Sequence, residues 1–204
     1  MSSDGAYGRL FIISAPSGAG KTSLVNKLIA EMPGIELSVS HTTRPQRPGE
    51  KAGIHYHFVS TEDFQGMIDE GLFLEHARVF DNFYGTSRTA VLERLAAGID
   101  VILEIDWQGA QQVRAQLPDC LSIFIVPPSR SELQRRLSAR GQDSAEVIAR
   151  RMRDADAEIS HYHEYDFVLI NDDFAQALGR LRCIITAERQ RTERQAEYVE
   201  RLLG

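Results

Sequence analysis

The segment Leu10 to Ser23, Leu-Phe-Ile-Ile-Ser-Ala-Pro-Ser-Gly-Ala-Gly-Lys-Thr-Ser, restricts the fold more than any other part of the chain. Leu10 to Ile13 form an apolar run and a Gly-rich turn follows through Gly20, Lys21 and Thr22. Leu24, Val25, Leu28, Ile29 and Met32 then recur at helical spacing. The pattern predicts strand, loop and helix. Backbone N–H groups of such a loop, together with the positive end of the helix dipole, converge on a volume suited to a polyphosphate. Lys21 adds a mobile cation for the β- and γ-phosphates, and the Thr22 hydroxyl is a ligand for Mg2+. The candidate phosphate-binding residues are therefore Ala15, Pro16, Ser17, Gly18, Ala19, Gly20, Lys21, Thr22 and Ser23. Ala15 stands where the motif G-x-x-x-x-G-K-[ST] has its first Gly, so either that position is not left-handed or the match is false.

A chain of 204 residues is long for one simple unit and short for two, which favours one core carrying inserted subdomains. Its 43% hydrophobic and 25% charged residues are ordinary for a soluble globular protein. A net charge of −6 argues against general nucleic-acid binding and leaves room for local Arg clusters. Cys120 and Cys183 lie outside any C-x-x-C pattern and read as reduced core thiols of a cytoplasmic protein. No apolar run reaches membrane-spanning length, and Met1 to Gly8 is too short and polar for a signal peptide. No membrane contact is expected, and a homo-oligomer is left open.

Pro33-Gly34 stops the first helix, and Leu37 to Val39 form a short strand. Ser40 to Gly53 is rich in Pro, Gly, Arg, Ser and Thr, the composition of a functional loop. His55 to Val59 alternate as a strand, Ser60 caps a helix ending at Gly71, and Leu72 to Phe80 form a strand carrying Glu75. Asn82 to Thr86 is read as a turn, and Ser87 caps a helix closing at Gly98. Val101 to Ile105 form a strand whose end carries Glu104 and Asp106. In a parallel α/β sheet that end lies beside the ligand, hence near Lys21 and Thr22. Leu121 to Val126 is another strand, followed by an Arg-rich helical pair from Ser129 to Arg153. Phe167 to Ile170 end the sheet at Asn171, and Phe174 to Leu203 read as helix with a solvated Glu/Arg face.

The expected fold is α/β: a phosphate-loop parallel sheet flanked by helices, with two inserts. The core comprises 9–40, 89–128 and 154–204; the first insert, 41–88, is a mixed α/β subdomain; the second, 129–153, is a helical Arg-rich lid. Phosphoryl transfer needs positioning, Mg2+ and cations around the moving group, and a closing Arg-rich lid also excludes water. The H-x-H pairs His55/His57 and His161/His163 have no obvious third ligand and read as ordinary histidines.

The motifs Ser-Ala-Pro-Ser-Gly-Ala-Gly-Lys-Thr, Ser-His-Thr-Thr-Arg-Pro-Gln-Arg-Pro-Gly-Glu, Gly-Ile-His-Tyr-His-Phe-Val, Phe-Tyr-Gly-Thr, Glu-Ile-Asp-Trp-Gln-Gly and Pro-Pro-Ser resemble those of the guanylate kinases, from about Arg9 to the last helix. That family transfers the γ-phosphate of ATP to GMP. The resemblance implies an ATP- and Mg2+-dependent cytoplasmic kinase acting on GMP, with dGMP a further acceptor. It implies that Arg44, Arg47, Tyr56 and Tyr84 hold the GMP phosphate, with donors suited to a dianion. Ser40, Glu75 and Thr86 would hold guanine, whose N1–H and 2-amino group a carboxylate can accept. Asp106, on the GMP side, would organise Mg2+ with Thr22 and with Glu104 beside it. Arg136, Arg140 and Arg151 match the family's lid arginines, and Asn171 would lie near the ATP adenine. Lys21, Arg44, Arg140 and Arg151 are the catalytic candidates.

Two other readings stay open. A kinase for another small phosphorylated acceptor, such as a ribose phosphate, would not need Ser40, Glu75 and Thr86 together. An interaction module using the same cleft for phosphorylated peptides would not need Lys21 and Thr22.

Overall fold

The computed structural model describes residues 7–79, 81–139 and 145–204. In chain order its elements are β1 (Leu10–Ser14), α1 (Lys21–Glu31), β2 (Ile35–Leu37), β3 (His41–Thr42), β4 (His57–Phe58), α2 (Thr61–Asp69), β5 (Phe73–Val79), β6 (Asn82–Ser87), α3 (Arg88–Ala96), β7 (Asp100–Glu104), α4 (Trp107–Gln116), β8 (Leu121–Val126), α5 (Arg130–Ser138), α6 (Ala145–Ile159), β9 (Phe167–Ile170), α7 (Phe174–Arg189) and α8 (Thr192–Leu203).

The unbroken apolar runs become a parallel sheet of order β2-β7-β1-β8-β9. Such runs suit strands buried on both faces. Phe11 and Ile13 point to one side, against Leu24 and Leu28 of α1 and Leu181 and Ile185 of α7. Leu10 and Ile12 point to the other, against Val91 and Leu95 of α3 and Val113 of α4. Complete burial of Phe11, Ile12 and Ile13 stabilises the fold by about 1.5–3 kcal/mol per side chain.

A second sheet of order β4-β3-β6-β5 stands beside the first. Here Asn82 to Thr86 form strand rather than the expected turn, because β6 pairs on both edges: Tyr84 lies opposite Ala77 of β5 and Thr42 of β3. Gly85 is required there, since a Cβ would come within 2.9 Å of the Phe73 ring. The strand expected over His55 to Val59 shortens to His57–Phe58, and the second strand begins earlier, at Ile35. Ser60 and Ser87 cap α2 and α3 through the amides of Asp63 and Ala90, as their positions imply.

The terminal helix divides at Gln190 and Arg191, and its charged residues are not all solvated. Glu188 is 4% exposed and lies between Arg9 and Arg191. Arg189 and Arg194 reach the buried Asp100 at 2.7 and 3.1 Å, and the Arg9 amide also donates to that carboxylate, at 2.6 Å. These pairs tie α7 and α8 to the start of β7. Asp100→Asn leaves two half-buried guanidinium groups without their anion. It is expected to destabilise the chain by about 2–3 kcal/mol, a fall in thermal midpoint of about 5–10 °C. An unchanged melting curve would mean that the cluster contributes nothing net.

Cys120 is half-buried and its thiol is pushed up to about 11 by burial, whereas Cys183 is exposed rather than in the core. Among the described residues, no helix is long and apolar enough to cross a membrane.

Candidate active site

A cleft of about 560 Å3 opens beyond the carboxyl ends of β1 and β7. The 15–23 loop forms its floor, and Ser40, Tyr56, Glu75 and Tyr84 line one wall. Glu104 and Asp106 follow from β7, and α6 contributes Arg151, Asp154 and Glu158.

The loop takes its shape from two glycines. Gly18 and Gly20 have φ of 92° and 93°, and a Cβ on Gly20 would lie 2.5 Å from the Asn171 amide nitrogen. Ala15 is a half-buried residue packed on the core, and the left-handed glycines of the loop come after it. Lys21 opens α1 and faces the cleft. The Thr22 hydroxyl donates to Glu104 Oε2 at 2.9 Å, while Glu104 Oε1 is buried without a hydrogen-bond partner. Asp106 also lines the cleft, and its Oδ1 accepts from the Gly109 amide at 2.8 Å, capping α4.

Glu75 is 4% exposed, and its Oε1 accepts from the Thr86 hydroxyl at 2.5 Å. Burial pushes its carboxyl up to about 7; Thr86 lowers it and the Asp106 charge raises it. Glu75 Oε2 would lie 2.7 Å from a Cβ at position 109, so Gly109 makes room for the carboxylate. Tyr56 and Tyr84 stand edge to face at 5.9 Å. The Tyr56 hydroxyl is pushed above its ordinary value, first by burial.

Other expected site residues are held back from the cleft lining. Arg44 pairs with Glu50 at 2.7 Å and lies over the Tyr56 ring, 5.4 Å from its centroid. Arg47 is exposed, and its amide donates to Glu50 Oε2. Asn171 is buried and donates to the Ala19 carbonyl at 2.7 Å. Arg136 reaches Glu132 at 2.8 Å and the Asn171 carbonyl at 3.0 Å. These two brace the phosphate loop from behind. Arg140 lies outside the described residues.

Sequence reasoning missed Glu158. Its Oε2 is buried without a hydrogen-bond partner, and its carboxyl is pushed up to about 7 by burial. Lys21 and the Ser17 amide lower it; Asp106 and Asp154 raise it. The signal was available: Glu158 follows Arg151 by about two helical turns, on one face of one helix. His41 and His57 stack at 4.6 Å. No group of His, Cys, Asp and Glu among the described residues is arranged as a metal cage.

The guanylate kinase family model matches residues 7–188. A guanylate kinase of Alkalilimnicola ehrlichii is 60% identical over 201 residues, covering 97% of this chain and 99% of that one. A guanylate kinase of Vibrio parahaemolyticus is 57% identical, covering 96% of each. The crystal structure of guanylate kinase from Anaplasma phagocytophilum, 37% identical, superimposes with a TM-score of 0.77 over 93% of this chain and 90% of that one. With a phosphate loop and a buried carboxylate pocket facing one cleft, and with similarity over nearly its whole length, the chain belongs to the guanylate kinase family.

Proposed function

We propose that this guanylate kinase moves the γ-phosphoryl group of ATP directly to the phosphate of GMP, giving ADP and GDP, with dGMP as a second acceptor. One observation carries the reading: the loop bearing Lys21 and the pocket bearing Glu75 line the same cleft. Donor phosphates and an acceptor base can therefore be held with the reacting oxygen in line, and positioning supplies much of the rate in this chemistry.

In this reading the amides of the loop from Ala15 to Ser23 cradle the ATP phosphates, and Lys21 stabilises charge on the transferring group. Glu75, steadied by Thr86, accepts from guanine N1–H and the 2-amino group, with Ser40 beside it. Adenine, with an acceptor at N1 and no 2-amino group, would leave that carboxylate unpaired. Tyr56 and Tyr84 donate to the GMP phosphate. Arg44 exchanges Glu50 for that phosphate, and Arg47 joins it. Residues 41–88 thus form the GMP-binding unit, and 129–153 an Arg-rich lid that brings Arg151 and Arg140 onto the phosphoryl group. Arg136 and Asn171 act on ATP through the loop they brace.

The donor set near Thr22 fits Mg2+: a hydroxyl, a buried Glu104 oxygen lacking a partner, and Asp106, all hard oxygen ligands. When bound, Mg2+ neutralises charge on the phosphates. The test is an ADP-release assay with Mg-ATP and GMP, AMP, CMP, UMP or ribose phosphates as acceptors. Turnover confined to GMP and dGMP is expected. Turnover with a ribose phosphate would replace the acceptor, and GMP binding without turnover would point to an interaction module.

A further inference from the structure

The α6 helix presents charges of opposite sign to the cleft. Arg151 and, about 10 Å further along the helix axis, Glu158 both line it. Glu158 lines the cleft together with Ser17 and Lys21, and the Lys21 charge and the Ser17 amide favour its ionised form; the phosphate-loop reading assigns both groups to ATP. Its Oε2 is buried and accepts no hydrogen bond, so the carboxylate is desolvated without full compensation. Asp106 and Asp154 add negative charge around it. A carboxylate in the same cleft as that amide and ammonium resembles a phosphate oxygen in charge and in the donors it can use.

We propose that Glu158 competes with the polyphosphate of ATP for the Ser17 amide and Lys21, so that nucleotide entry expels Glu158 and repositions α6. The inference rests on the reading of the 15–23 loop as the ATP site. ATP repels Glu158 and attracts Arg151, and both charges sit on one helix. Exchange of one for the other at the phosphates therefore gives the helix movement a direction. Glu158 is thus a positioning residue: it acts on lid geometry and on Lys21 rather than on the reacting atoms. Its effect is a coupling free energy between nucleotide binding and helix position.

The test is calorimetric titration of the full chain with ATP, without Mg2+ or GMP, alongside titration with adenosine, which carries no phosphate. Glu158→Gln keeps the shape and removes the charge; it is expected to tighten ATP about tenfold and to leave adenosine affinity unchanged. Glu158→Asp keeps the charge but withdraws it by one methylene, and falls between. Glu146→Gln, which removes an exposed charge on the same helix outside the cleft lining, changes ATP affinity less than about twofold. Unchanged or weaker ATP binding in Glu158→Gln overturns the proposal, as does equal tightening in Glu146→Gln, which would show only a general field effect. If the unsubstituted chain binds no ATP, the phosphate-loop reading itself fails.

Discussion

Lys21→Ala is expected to lower turnover by about 10^3-fold while GMP affinity changes by less than about threefold. Lys21 lies on the first turn of α1, on the side of the cleft floored by the phosphate loop. Ser40, Tyr56, Glu75 and Tyr84 line the cleft from the second sheet and the loops beside it. Charge grows on the transferring phosphoryl oxygens in the transition state, and a fixed ammonium there does its work in the chemical step. Fold integrity is not at risk, because Ala is the better helix former and the glycine geometry of the loop does not depend on the lysine. The readouts are kcat from ADP release, GMP affinity by titration and the melting curve. A rise in the GMP dissociation constant comparable to the loss of kcat would move Lys21 to the acceptor side and overturn the assignment.

The phosphate loop was legible because its signals are local: an apolar strand, two glycines that must be left-handed, and a Lys-Thr pair on the first helical turn. The parallel sheet followed from strands that alternate with helices along the chain. What stayed hidden depends on partners far away in sequence. Asn82 to Thr86 has turn composition, yet two neighbouring strands recruit its backbone into a ladder. The α4 helix escaped because its buried face is Gly109, Ala110 and Val113, too small to give a strong apolar period. Glu188 read as part of a solvated face and Asp100 drew no reading, because Arg9, Arg189, Arg191 and Arg194 are brought to them only by the fold. Asn171 follows the same logic. The family resemblance placed it near the ATP adenine; in the structure its amide turns inward to the Ala19 carbonyl and limits position 20 to glycine. Of the cleft-lining residues, Lys21 and Thr22 were readable from their motif and Glu75 through the family resemblance, whereas Glu158 was not.

Glu75→Gln is expected to lower the preference for GMP over AMP by about 10^2-fold and, at the same time, to make the protein more stable at alkaline pH. Both effects come from one buried carboxyl pushed up to about 7 by desolvation, with Thr86 as its hydroxyl donor. An ionised Glu75 offers only acceptors to guanine; the amide of glutamine places a donor against N1–H or the 2-amino group. The folded-state value lies above the ordinary carboxyl value of 4.5, so the folded chain binds this proton more tightly than the unfolded chain does. Its contribution is fully present below pH 4.5 and is lost as pH rises toward 7. At pH 8 the ionised group costs about 3 kcal/mol, which glutamine removes. The thermal midpoint of Glu75→Gln should therefore exceed that of the parent at pH 8 and match it near pH 4.5. Guanosine is the probe for binding, because a phosphate would add its own ionisation near pH 6. In the parent its affinity should fall by about tenfold for each pH unit below 7, as binding must first remove the proton; in Glu75→Gln the profile should be flat. A parent profile that is flat from pH 6 to pH 8 would place the Glu75 ionisation below that range, and unchanged nucleotide preference in the variant would remove Glu75 from the base pocket.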